Sequence, residues 1–553
     1  MRAETALTGA QALLDGIWGW LATRCWDKGR LSAGRLDEHQ LVSYEGALSA
    51  AEVAAARFMI DYAREVQREQ PARSTVETDL ALVSTAEAIT HLQARLLARP
   101  ADYGLDAATV LGALGSDAQA FCHEVLAAQA LARVGANVAA LEGRTGLSLL
   151  DEDHAMMRDT FRQFANDVVM PRAEDIHRQD LTLPDDLIDQ LKELGCFGIS
   201  IPERYGGFQP DEAEDTLSMC VVTEELSRGS LGAAGSLITR PEILARALMA
   251  GGTDEQKNHW LPKLAAGDPL CAVGVTEPDY GSDVAAMRFK ATRAPSGGWL
   301  LNGTKSWLTF AGKAGVLLIL ARTDADSSKG HRGLSVFLVE KPAFDGHDFE
   351  HVQEQGGTIS GRSIATIGYR GMHSYECFFD NYVVPDEALL GGDAGLGRGF
   401  YTIMAGFAGG RIQTAARAVG VMQAAFERAV IYAGERKVFG LPIAETQLTQ
   451  IKLATMAAAL ASVRRFTYGV ARLMDVGEGS VEASMVKLHA GRAAEYLTRE
   501  AMQIHGGMGY AEETSVSRYF VDARVLSIFE GAEEILALKV IARSLVERAG
   551  KAA

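Results

Sequence analysis

A single block of β-strand grammar, from Cys271 to Pro385, interrupts a chain that otherwise reads as helix. Inside the block, short β-branched and aromatic runs alternate with turn residues, as strands do. Asn302-Gly303 falls between Trp299-Leu300-Leu301 and Lys305-Ser306-Trp307-Leu308-Thr309, which predicts a type I′ hairpin. Val316 to Ala321 and Leu334 to Val339 flank the polar stretch Asp324 to Arg332 and predict another. On both sides of the block, apolar residues recur at helical spacing. The chain therefore reads as α+β and multidomain. A helical extension covers 1–142, a helical domain 149–268, a β domain 269–389 and a helical domain 390–553.

The first segment is helix after helix. Glu45 to Glu69 is Ala-rich and stops at Pro71, and Ser74-Thr75-Val76-Glu77 predicts a capping box. The next helix ends at Pro100, and a further run covers Ala107 to Glu142. His91 and His123 are isolated, and no catalytic constellation occurs here. Gly143-Arg144-Thr145-Gly146 is a linker. Beyond it, the helical pattern from Leu149 to Ala266 is broken by Pro202 to Gly207, and Gly391 to Gly399 is a glycine-rich hinge.

A chain of 553 residues with 48% hydrophobic and 23% charged residues is an ordinary globular composition. The net charge of −17 argues against nucleic acid as a partner, and an anionic ligand must meet a local basic cluster. Six scattered cysteines, with no CxxC and no His at metal-ligand spacing, predict reduced thiols, a cytoplasmic setting and no metal. Met1 to Trp20 lacks a signal-peptide pattern, and no apolar run is long enough for membrane insertion.

Five clusters carry candidate chemistry. The first is Val273-Gly274-Val275-Thr276-Glu277-Pro278-Asp279-Tyr280-Gly281-Ser282-Asp283, where Gly281 and Ser282 permit close approach of a ring or phosphate. The second is Trp307-Leu308-Thr309. In the third, Glu435 to Gly440 followed by Gln447, Arg436 could fork onto a pyrophosphate. The fourth is Gln503 to Tyr510, where a helix breaks on glycines. In the fifth, Asp522 to Ala532, Glu530 stands between Phe529 and Gly531 in an apolar run, where desolvation makes a carboxylate a better general base. Taken singly, these admit plain readings as a turn, a core Trp, a salt-bridged Arg and a structural Glu.

Together, in this order, they resemble the acyl-CoA dehydrogenases from about Leu149 to Arg548. The resemblance rests most on Val275-Thr276-Glu277-Pro278-x-x-Gly281-Ser282-Asp283 and on Gln503-Ile504-x-Gly506-Gly507-x-Gly509 with Arg524 and Glu530-Gly531. It implies that family's fold, an α-helical domain, a β-barrel or sandwich domain and a C-terminal four-helix bundle, and it implies FAD. Val273, Val275, Thr276, Trp307 and Thr309 would contact the isoalloxazine, and Ser282 the pyrophosphate or CoA. Arg436, Phe439, Gln447, Gln503, Gly506 and Gly507 would hold the FAD of a neighbouring subunit, and Ala532 and Glu534 would also lie on the cofactor. Ala532 stands where family members commonly carry Thr. Arg411, with Phe407, matches a CoA-contacting position, although the residues before Arg411 are smaller than usual. Glu530 matches the catalytic base, with Gly531 on the substrate. Electrons would leave through an electron-transfer flavoprotein.

The layout, with extra helices at the N-terminus, is similar to the branch of the family that converts (2S)-methylsuccinyl-CoA to mesaconyl-CoA in the ethylmalonyl-CoA pathway. Such a substrate carries a free carboxylate that needs a buried cation. Arg240 and Arg228 are the candidates, with Ser236 or Thr239 as helpers. A butyryl-, isobutyryl- or glutaryl-type dehydrogenase, an acyl-CoA oxidase and a DNA-binding relative remain as alternatives. FAD sites shared between subunits imply a homo-oligomer, with a dimer favoured over a tetramer.

Overall fold

The computed structural model describes residues 2–552. They fall into two compact units, one of residues 156–413 and one made from the two ends of the chain, up to 155 and from 414 onward.

In the unit of 156–413, helices Met170–Arg178, Asp185–Glu193, Thr216–Gly229, Thr239–Gly251 and Asp254–Ala265 precede the β domain. The last of these starts with a capping box in which Thr253 and Gln256 satisfy each other's backbone N–H. Eight strands follow: β1 Cys271–Gly274, β2 Lys290–Arg293, β3 Trp299–Thr309, β4 Val316–Arg322, β5 Leu334–Glu340, β6 Asp348–Val352, β7 Thr358–Ser363 and β8 Ser374–Val384. They form one half-barrel sheet in the order β1-β4-β2-β3-β8-β7-β6, with β5 also paired to β4. β1 runs parallel to β4, and β3 and β5 are antiparallel to their main partners.

β4 and β5 are apolar almost throughout because both sheet faces are covered. Leu317, Ile319 and Ala321 point into a core with Phe289, Trp299, Leu308, Phe337 and Phe379. Val316, Leu318 and Leu320 alternate to the other face and meet Ile243, Leu244, Leu248, Trp260 and Leu261 of the helices. The β4–β5 hairpin is as the sequence predicts, with Val316 opposite Glu340 and Arg322 opposite Leu334.

The Asn302-Gly303 hairpin does not form. Both residues lie inside β3, which continues through them and pairs with β8 along its length. A bulge on β8 absorbs the irregularity, and the Asn302 Oδ1 accepts the Asn381 N–H at 2.8 Å. Gly303 (φ +131°) lies against Phe289, which a Cβ would meet at 3.0 Å. Long-range pairing and a tight aromatic contact therefore override a local turn signal.

In the other unit, helices Arg2–Cys25, Gln40–Glu69, Ser74–Ala98, Ala107–Val125 and Ala128–Ala140 pack with the C-terminal helices, chiefly Gln447–Asp475 and Ser480–His505. Glycines permit the close approach. A Cβ on Gly135 would sit 1.8 Å from the Gln450 carbonyl, and one on Gly469 would meet the Phe58 ring at 2.1 Å. All six cysteines are buried, and none is in a disulfide. Among the described residues, no helix is long and apolar enough to cross a membrane.

The predicted capping box at Ser74 is also absent. Ser74 Oγ donates to the Pro71 carbonyl, and Glu77 turns inward instead of back to the helix start. There, fully buried, it accepts from Tyr62 Oη at 2.8 Å, Gly146 N at 2.9 Å and Arg73 at 3.1 Å. Burial pushes its carboxyl up and the Tyr62 phenol up as well. Glu77→Ala strands these donors and should cost about 1–3 kcal/mol. Thermal unfolding followed by far-UV circular dichroism measures it.

Candidate active site

β1 ends at Gly274, and the chain leaves it as Val275-Thr276-Glu277. This exit is fixed by a buried ion pair. Lys305, on β3 and without solvent exposure, donates from Nζ to the Val275 carbonyl at 2.9 Å and to Glu277 Oε1 at 3.1 Å. Glu277 also accepts the backbone N–H of Arg288 and Phe289, each at 2.8 Å. Burial drives the Lys305 ammonium down to about 8, against the pull of Glu277. Ser306 N donates to the Thr276 carbonyl at 2.9 Å, so the exit lies beside the end of β3.

The residue after Ser306 is Trp307. Its backbone is left-handed (φ +61°), a strained state for an aromatic residue, and its side chain is 54% exposed. Leu308 turns into the core, while Thr309 is buried with Oγ1 2.9 Å from Ser374 Oγ. Val273 is half-buried and Val275 buried, and Gly281 and Ser282 are exposed just past the turn closed by Glu277 and Tyr280. The fold thus gathers the first two sequence clusters at one place, around an uncovered indole.

In the other unit, Glu530 (φ +54°) and Gly531 (φ +96°) form a left-handed turn that leaves the helical segment ending near Leu526. Glycine removes the Cβ clash at the second position. Lys487, buried on the helix Ser480–His505, donates to the Gly531 carbonyl at 2.6 Å. The buried Arg417 guanidinium stacks 4.5 Å over the Phe529 ring. Glu530 is half-buried, and its Oε2 is shielded from solvent. Neither that oxygen nor the Glu530 N–H has a hydrogen-bond partner among the described residues. Ala532 and the exposed Glu534 line a cavity of about 250 Å³ with Arg492, Glu495, Arg524 and Ser527. Tyr44, from the N-terminal helices, donates to Glu533 Oε1 at 2.6 Å.

Phe439 and Gly440, both with positive φ, form the tip of a two-residue hairpin between Lys437-Val438 and Leu441-Pro442. Phe439 is fully exposed, as are Arg436 and Gln447 to a lesser degree. Tyr432 stacks on His505 with centroids 4.3 Å apart, which brings this hairpin's helix beside Gln503, Gly506 and Gly507. A Cβ on Gly506 or Gly507 would meet nothing within 4 Å.

Arg411 and Phe407 lie on the helix Gly399–Glu435, with Phe407 packed against the core that holds Ile243. Arg240 is buried and donates from Nη1 to the Ser236 carbonyl at 3.1 Å and to Tyr369 Oη at 3.2 Å. No carboxylate lies within ion-pair distance of Arg240 among the described residues, and the buried Thr239 Oγ1 beside it is unpartnered. Arg228, also buried, donates to Asn166 Oδ1 at 2.8 Å. Lys487 and Tyr44 escaped the sequence reading, because each acts on residues distant in the chain.

Three family models match the chain in order. They are the acyl-CoA dehydrogenase N-terminal domain over 151–268, the middle domain over 272–382 and the C-terminal domain over 397–546. The chain belongs to the acyl-CoA dehydrogenase family. It is 40% identical to the (2S)-methylsuccinyl-CoA dehydrogenase of Cereibacter sphaeroides, over 99% of this chain and 98% of that one. Among solved structures it is similar to butyryl-CoA dehydrogenase from Megasphaera elsdenii (TM-score 0.65, 31% identity, 72% of this chain and 98% of that one). It is likewise similar to a glutaryl-CoA dehydrogenase from Mycobacterium smegmatis in complex with FADH2 (TM-score 0.63, 29% identity, 72% and 95%).

The enzyme is an acyl-CoA dehydrogenase, and members of the family are FAD-dependent flavoproteins. The residues here suit FAD. An uncovered indole offers a flat wall for a ring, and the glycines Gly506 and Gly507 leave open space for close approach of a phosphate.

The Lys305–Glu277 pair is the support of this wall. Lys305→Met leaves a buried carboxylate without its counter-charge and should cost about 3–5 kcal/mol. Lys305→Met with Glu277→Gln should recover part of that loss, as read by melting temperature and by retained flavin per chain.

Proposed function

We propose that this enzyme oxidises (2S)-methylsuccinyl-CoA to mesaconyl-CoA, with Glu530 removing the α-proton. The observation that carries the base assignment is the shielded, unpartnered Oε2 of Glu530 on a fixed left-handed turn. A carboxylate oxygen with no protein donor is free to take a proton. The Glu530 N–H, equally unengaged, is suited to bond the thioester oxygen as charge builds there. Lys487 holds the Gly531 carbonyl and so fixes the direction of both groups. FAD, when bound, supplies the acceptor for the β-hydride. Val273, Val275, Thr276, Trp307 and Thr309 would hold and cover its ring. Ser282, Arg436, Phe439, Gln447, Gln503, Gly506, Gly507, Ala532 and Glu534 would hold its remainder. Arg411 and Phe407 would face the CoA ester.

The substrate reading has two supports. A relative that matches over 99% of this chain, N-terminal helices included, is a methylsuccinyl-CoA dehydrogenase. A free carboxylate on the reacting chain also demands a cation, and Arg240 is a buried guanidinium with only neutral partners. The Arg240 fork, with the spare Thr239 hydroxyl, is suited to a carboxylate. Arg228, already on Asn166, is the weaker candidate. Electron-transfer flavoprotein would receive the electrons. The N-terminal helices lie over Gln447–Asp475, which suits a homodimer.

Glu530→Gln should retain flavin yet slow its anaerobic bleaching by methylsuccinyl-CoA by about 10²–10⁴-fold. Bleaching at the wild-type rate would remove Glu530 from the chemistry. Arg240→Ala should raise KM for methylsuccinyl-CoA about 30-fold or more and leave butyryl-CoA nearly unchanged. Equal effects on the two substrates would reject the carboxylate role.

A further inference from the structure

Asp180, His347 and His373 are far apart in sequence, and none is needed by the chemistry above. The fold brings them together in the unit of 156–413, so that one potential ligand atom from each lies within 4.8 Å of the others. We propose that they form a binding site for a divalent transition cation of the Zn²⁺ class.

The argument starts from the protons. His373 Nδ1 lies 3.2 Å from the Gly371 carbonyl, and His347 Nε2 lies 3.0 Å from the Asp180 carbonyl. A carbonyl only accepts, so each of these nitrogens carries the hydrogen, and the other nitrogen of each neutral ring carries a lone pair. Those lone pairs converge on one carboxylate. His373 Nε2 is 3.1 Å from Asp180 Oδ1, and His347 Nδ1 is 4.0 Å from Asp180 Oδ2. Such a facing arrangement is satisfied either by a proton on the His373 ring or by a cation held between the three side chains.

The pattern is that of a metal ligand set. Ligating histidines commonly donate the remote N–H to a backbone carbonyl, which fixes tautomer and ring direction. Zinc bonds of about 2.0–2.2 Å to nitrogen and oxygen place neighbouring tetrahedral ligands roughly 3.3 Å apart. The His373 distance already fits, and His347, 42% exposed, has room to close the rest. Asp180 is held in a left-handed conformation (φ +54°) just past the helix Met170–Arg178. Arg370 Nε lies 3.4 Å from Asp180 Oδ1, the oxygen that also faces His373 Nε2, and is itself anchored to the Thr366 carbonyl, so it helps to orient the carboxylate. Exposed edges of Asp180 and His347 leave a side for water as a further ligand.

The site would clip a helix end to the β domain. His373 precedes Ser374, whose hydroxyl holds Thr309, and its carbonyl accepts the Phe310 N–H at 2.8 Å. The cation would therefore stiffen the strand ends beneath Trp307, with no part in the reaction itself.

The test uses the full-length, flavin-loaded enzyme, stripped with EDTA and dialysed against micromolar Zn²⁺. About one zinc per chain should remain by mass spectrometry, and the melting temperature should rise by a few degrees. His347→Ala and Asp180→Asn should each lose both the zinc and the rise while keeping the flavin spectrum. Failure of the wild-type protein to retain zinc overturns the proposal, and so does equal retention by the two variants. Neither result bears on Glu530 or on the substrate.

Discussion

A lysine and a glutamate sealed from water decide where the β domain opens. Lys305 and Glu277 lie on different segments, and their pairing joins the exit of β1 to β3. Desolvation is severe enough to bring the Lys305 ammonium down to about 8, so the pair is weak evidence for net stability. Its value is positional. The ammonium takes the Val275 carbonyl, and the carboxylate takes the amides of Arg288 and Phe289. Three backbone groups are set by two side chains. With Ser306 also bonded to Thr276, the following residue is turned into a left-handed state, and the Trp307 indole faces outward. An exposed aromatic in strained backbone is expensive unless something flat covers it.

The same logic, with different residues, holds Glu530. Its turn uses two successive left-handed residues, of which only Gly531 adopts that state cheaply. Lys487 secures the Gly531 carbonyl from a helix more than forty residues upstream. Sequence spacing points to Glu530 because a carboxylate flanked by Phe529 and Gly531 in an apolar run is unusual. Lys487 leaves no such mark, since a lysine on an Ala-rich helix reads as solvated surface.

The fold was legible where local and distant preferences agree. The β4–β5 hairpin is one case, since its apolar runs and polar loop satisfy both strand propensity and a two-faced core. Asn302-Gly303 is the opposite case. Its turn propensity is real, but the ladder to β8 and the Phe289 contact favour extension by more. Ser74 and Glu77 fail for a related reason. The capping spacing is correct, yet Glu77 finds Tyr62, Arg73 and Gly146 in the interior, and these donors outweigh one amide at a frayed helix start. Arg240 and Arg228 read alike in the sequence, and only their partners separate them, a carbonyl and a phenol for the first and an amide side chain for the second.

The N-terminal helices reach the segment that follows Glu530. Gly135 and Gly469 let them approach the helix Gln447–Asp475 more closely than side chains would permit, and Phe58 fills the space over Gly469 against Phe466. Arg465 bonds Glu65 at 2.6 Å across the same contact. Along this surface, Tyr44 reaches Glu533, which also takes Arg492 at 3.1 Å. Burial, together with that carboxylate, pushes the Tyr44 phenol up to about 12, so it remains a donor throughout the neutral range. Glu533 stands three residues beyond Glu530. A segment that reads in sequence as a helical extension therefore bonds Glu533, on the same loop as Glu530 and the Gly531 carbonyl that Lys487 holds.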